Sequence, residues 1–117
     1  MTATVYRRSP EGLTPPHGVT EPDKFRRLVD AFRRGESVTP IIVVGDTAVT
    51  GSHRLAAARE AGTDIAVVEV PLADYGKLGG GRHWKALRRE LGHEGGMLAR
   101  LYGRDAPILD EVRRFRS

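Results

Sequence analysis

Four consecutive residues, Gly51-Ser52-His53-Arg54, bring together a permissive backbone, a hydroxyl, an imidazole and a guanidinium. They precede Leu55-Ala56-Ala57-Ala58-Arg59-Glu60-Ala61-Gly62, an alanine-rich run that reads as a short helix. Ser52 is a favourable N-cap, its hydroxyl accepting from the first free backbone N–H groups, and Gly62 stands where a helix closes with a left-handed residue. A helix start of this kind offers unpaired N–H groups and positive partial charge, beside a glycine that lets a ligand approach the backbone. That chemistry suits an anion, and a phosphate above all.

Elements must deliver this corner. Residues 21–34 predict a helix: Phe25, Leu28, Val29 and Phe32 recur at helical spacing, Thr20-x-x-Asp23 resembles a capping box, and Pro22 falls in the first turn. Arg26, Arg27, Arg33 and Arg34 lie off the apolar face. Val38 to Val44 reads as a buried strand, Gly45-Asp46 as a tight turn, Thr47–Thr50 as a return strand, and Ile65 to Val70 as another buried strand. Upstream, prolines and glycines make residues 1–20 an irregular arm, in which Thr4-Val5-Tyr6 can add an edge strand. The expected fold class is α/β (α+β), a small mixed sheet with packed helices and short C-terminal helices. One domain is expected over 1–117, with a core at 21–75 and a basic helical extension at 76–117.

With the motif and its flanking elements in place, Gly51-Ser52-His53-Arg54 and the helix after it resemble the core motif of the ParB/sulfiredoxin-like superfamily. Gly35-Glu36-Ser37-Val38-Thr39-Pro40-Ile41-Ile42-Val43-Val44 is similar to the strand that precedes that motif, and the likeness runs from about Phe25 to Val70. The resemblance implies a nucleotide-binding domain of the same fold. Thr50, Gly51, Ser52, His53 and Arg54 would hold ATP or CTP by its phosphates, with Mg²⁺ bridging to acidic groups. His53 and Glu36 are the candidate catalytic residues of a nucleoside triphosphatase or phosphotransferase, Glu36 as general base or Mg²⁺ partner. The alternative is a DNA-binding accessory module or ParB-like nuclease, in which the same corner contacts a backbone phosphate. The sulfiredoxin branch carries cysteine where Ser52 stands, and serine lacks the readily formed thiolate that sulfinic-acid reduction requires. Relatives that phosphorylate free serine carry an acidic residue where this chain has Thr50, which weakens a kinase assignment.

Other chemistry-bearing residues have plainer readings. Asp46 suits a hairpin turn. His17 lies in a Pro-Gly loop, from which it reaches the site only if the first strand leads there. His83 and His93 match no common zinc spacing, so no metal site is expected. Trp84 and Tyr102 can stack on bases, but both fall at core spacing within three short helical patterns centred on Leu87, Leu98 and Leu109.

Composition sets the outer bounds. Hydrophobic residues make up 39% and charged residues 29% of 117, an ordinary globular balance. Without cysteine there is neither a disulfide framework nor a thiolate metal site. No apolar run spans a membrane and no signal-peptide pattern opens the chain, so a cytoplasmic location is expected. Of the net charge of +4, residues 76–117 carry the excess: ten lysines and arginines against five acidic residues, whereas residues 1–75 hold nine against ten. A basic C-terminal part offers DNA a surface.

Overall fold

The computed structural model describes residues 3–78 and 94–115. Four strands, β1 (Thr4–Arg8), β2 (Ile41–Val44), β3 (Thr47–Ala48) and β4 (Ile65–Glu69), form one sheet in the order β1-β4-β2-β3. β4 runs parallel to β2 and antiparallel to β1, and β3 returns antiparallel along β2. The sheet is therefore mixed, and the two parallel strands lie at its centre. Ile41, Ile42 and Val43, like Ile65 to Val68, are fully buried. This explains their unbroken apolar character: a central strand covered on both faces has no solvent side on which to carry polar residues.

Helices cover both faces. On one, α1 (Pro22–Arg33) and α2 (Ser52–Ala61) pack Val29, Phe32, Leu55 and Ala58 against Ile41, Val43, Ile65 and Val67. On the other, α4 (Glu94–Tyr102) and α5 (Pro107–Arg114) pack Met97, Leu98, Leu109 and Val112 against Val5, Ile42, Val68 and Val70. A short α3 (Leu72–Tyr75) with a 3₁₀ turn (Gly76–Leu78) follows β4. The domain is thus a small mixed α/β structure, with five helices among the described residues. None of these helices is long and apolar enough to cross a membrane.

Several boundaries differ from the sequence-based expectation, each for a local reason. β2 starts at Ile41, because the Pro40 carbonyl and that of Thr39 face the Arg54 side chain instead of a strand. β3 ends at Ala48, as the chain bends into the corner. The expected capping box does not form: Glu21 is the N-cap of α1, without a side-chain cap bond. The first twenty residues are less irregular than composition suggests. β1 extends to Arg8, and the loop after it is pinned, with the Thr14 N–H donating to the Asp46 carbonyl and its own carbonyl accepting from Ala48. Of the three C-terminal helical patterns, the second and third are α4 and α5. The first, with Trp84, Leu87 and Leu91, lies outside the described residues, as do Gly79–Gly81, His83 and His93.

Candidate functional site

The corner before α2 is built on Gly51. Its φ of 81° is left-handed, and a Cβ there would lie 2.2 Å from Ile41 Cγ2. No other residue type fits, because conformation and space both exclude a side chain. Gly51 is itself the N-cap, so Ser52 does not cap the helix as expected. Ser52 is the first helical residue, buried, and its Oγ accepts the His17 N–H at 3.2 Å. A tertiary donor has claimed the hydroxyl. The first intrahelical bond runs from the Leu55 N–H to the Gly51 carbonyl, so the N–H groups of Ser52, His53 and Arg54 belong to the unpaired first turn. At the other end Gly62, with φ 67°, closes α2 as expected.

His53 is buried, and its Nε2 accepts the backbone N–H groups of Thr20 at 3.1 Å and Glu21 at 3.0 Å. One imidazole thereby ties the two amides that lead into α1 to another helix. An Nε2 that accepts two N–H groups leaves the proton on Nδ1 and the ring neutral. Burial, then the Lys24 and His17 charges, hold its pKa below the ordinary 6.5 against the opposing pull of Glu21. The His17 ring stands edge-on to it, 5.9 Å between centroids, with Nδ1 2.6 Å from the Gly18 carbonyl oxygen.

Arg54 departs furthest from expectation. Its Nη1 donates to the carbonyls of Thr39 and Pro40, each at 3.0 Å, and its Nη2 is hydrogen-bonded to the Glu94 carboxylate. The guanidinium expected to meet phosphate is already occupied by protein oxygens, and it props the corner against β2 and α4. Burial alone would push the Glu94 carboxyl up. The Arg54 charge, its hydrogen bond and a hydrogen bond from Thr50 outweigh that and bring it below the usual carboxylate range. Thr50 is buried too, and its Oγ1 accepts the Ile42 N–H at 3.0 Å.

Glu36 is not brought to the corner. It lies exposed after α1, its carboxylate 2.9 Å from Arg34 Nε. Asp46 is an exposed turn residue beside Arg8, as expected. Tyr102 packs half-buried against the core and donates to Asp74 at 2.7 Å.

A cleft of about 1300 Å³ runs past the start of α2 and on to the carboxyl ends of β2 and β4. Thr50, Gly51, Ser52, His53 and Arg54 all line it, together with His17, Thr20 and Lys24 on the α1 side. Val44, Val70, Pro71, Leu72 and Tyr75 add an apolar section, which includes Leu72, a leucine left largely exposed. Glu69 is the one carboxylate that lines it among the described residues, and its Oε1 accepts the Tyr6 hydroxyl at 2.6 Å.

Lys24, Glu69 and Tyr75 were not singled out by sequence reasoning. Glu69 had a usable signal, being the lone charge inside the apolar run Ile65 to Val70. Lys24 had none, since one lysine in a basic helix is unremarked. No group of three or more potential metal-binding side chains occurs among the described residues. No protein-family model matches this chain, and comparison with curated proteins finds no match.

Proposed function

We propose that the cleft binds a nucleoside triphosphate, ATP or CTP, as a ParB/sulfiredoxin-like nucleotide domain would. The observation that carries this reading is the shared wall of the cleft. The first turn of a ten-residue helix, opened by a glycine that only glycine can replace, lines the same space as Lys24 and an apolar section bearing Tyr75. Helix-start amides and an ammonium suit phosphate oxygens, while Val70, Leu72 and Tyr75 suit the flat, less polar part of a nucleotide. Arg54 supports the corner from behind instead of contacting the ligand. Mg²⁺ would accompany the phosphates as their counter-ion. The residues lining the cleft supply one carboxylate among those described, so phosphate oxygens and water would make most of its coordination.

Calorimetric titration with ATP, CTP and a short DNA duplex, with Mg²⁺ at two salt concentrations, tests the reading. Lys24→Ala is the informative variant, because Lys24 is exposed and its loss leaves the core untouched. Micromolar binding of a nucleotide, weakened about tenfold in the variant as expected for a charge-assisted bond, supports it. Duplex binding that collapses with salt, without any nucleotide response, would move the function to nucleic-acid contact.

A further inference from the structure

We infer that the cleft selects a ribonucleotide, and that Glu69 makes the selection by accepting hydrogen bonds from the sugar hydroxyls. The inference rests on the nucleotide reading above and adds the specificity of the same site. The lining of the cleft carries groups of both signs. The α2 start and Lys24 favour negative charge, whereas Glu69, which shares the cleft with Val44, Val70, Pro71, Leu72 and Tyr75, repels it. A ligand that satisfies both needs an anionic end and a neutral end that donates hydrogen bonds, because an ionised carboxylate only accepts. A nucleotide has this polarity; inorganic polyphosphate does not.

Glu69 is also held ready for such a contact. The Tyr6 hydroxyl, from the neighbouring strand β1, donates to its Oε1. Among the described residues only Tyr6 is hydrogen-bonded to the Glu69 carboxylate, and Oε2 is the oxygen left to accept from a ligand. A vicinal diol is a good match for a carboxylate with one oxygen anchored, and the same chemistry reads ribose in other nucleotide sites. A ligand without the hydroxyl would cover the carboxylate and leave it unpaired, which is the arrangement that discriminates most strongly.

Binding of ATP, its 2′-deoxy analogue and inorganic triphosphate, with and without Mg²⁺, tests this in the wild type and in Glu69→Gln and Glu69→Leu. Glu69→Gln retains an acceptor for Tyr6, and Glu69→Leu removes every polar atom. The wild type should favour the ribose form by about tenfold, the scale of one hydrogen bond to a charged group. Both variants should lose most of that preference while holding inorganic triphosphate at least as tightly. An unchanged ribose preference in both variants would overturn the inference. So would an equal loss for inorganic triphosphate confined to Mg²⁺, which would make Glu69 a metal ligand. Binding of all three ligands by the wild type without discrimination would sink the inference alone. Binding of none would sink the nucleotide reading with it.

Discussion

The Arg54 guanidinium rests on the carboxylate of Glu94, forty residues further along the chain, and both side chains are largely shielded from water. Through this pair and the Thr39 and Pro40 carbonyls, one side chain joins the start of α2 to the approach of β2 and to α4. The corner that lines the cleft is thereby fastened to the helices on the opposite face of the sheet.

Breaking this pair from one side should be costly. Arg54→Ala leaves a buried carboxylate without its partner and should lower stability by about 3 kcal/mol, whereas Arg54→Met combined with Glu94→Leu should recover most of the loss. Urea unfolding of the three proteins measures it. A double variant no more stable than Arg54→Ala would contradict the cost assigned here to the unpaired carboxylate.

Acid should weaken the fold in two stages. The folded pKa of His53 lies below the ordinary 6.5, so the unfolded chain binds more protons. Its contribution is complete above about pH 6.5 and is lost as pH falls through the folded value. Glu94 is likewise below its ordinary 4.5, and its contribution disappears in turn as pH falls from there through its own folded value. Unfolding free energy measured from pH 8 to 3 should decline first in the histidine window, and His53→Gln should flatten that part alone. A profile insensitive to this substitution would refute the role given to His53.

Amide exchange should report the two side chains that hold the loop before α1. Ser52→Ala removes the acceptor of the His17 N–H, and His53→Ala removes that of Thr20 and Glu21. Each variant should speed exchange at its own amides, with about 1 kcal/mol of stability lost per neutral bond. Exchange unchanged at those amides would mean that the bonds do not protect them.

Two glycines of α2 should respond unequally to alanine. At Gly62 a Cβ meets nothing within 4 Å, so only the left-handed backbone costs, about 1–2 kcal/mol. At Gly51 the Cβ also collides with Ile41, which should raise the loss to about 3 kcal/mol or more. Thermal unfolding of Gly51→Ala and Gly62→Ala side by side checks the ranking; equal losses would contradict the packing around Ile41.

What could be read from the chain is what lies close in sequence. Phe25, Leu28, Val29 and Phe32 announce α1 by their spacing, and the apolar runs announce β2 and β4 because full burial leaves no polar positions. Gly62 marks the end of α2 correctly, since a left-handed residue almost demands glycine. The errors concern side chains whose partners are remote. Ser52 looks like a cap until the His17 amide arrives from 35 residues away, and Arg54 looks free until Glu94 meets it. Glu36 belonged to the right segment, but its loop turns the carboxylate towards Arg34 and solvent. Periodicity carries no record of such pairings.

The strand order also bears on how the protein is made. β1 leaves the ribosome first among the described strands, yet its sheet partner is β4, the last of them. Through all the intervening synthesis it has no strand to join. The loop that follows β1 waits as well: Arg59 of α2 holds the carbonyls of Pro10 and Leu13, and Ser52 and His53 hold its later amides. Contacts that close such long loops form late. The amino-terminal segment therefore docks after elements made later than itself, and the flank of the cleft bearing His17 and Thr20 is finished only when β4 and α2 have given it somewhere to dock.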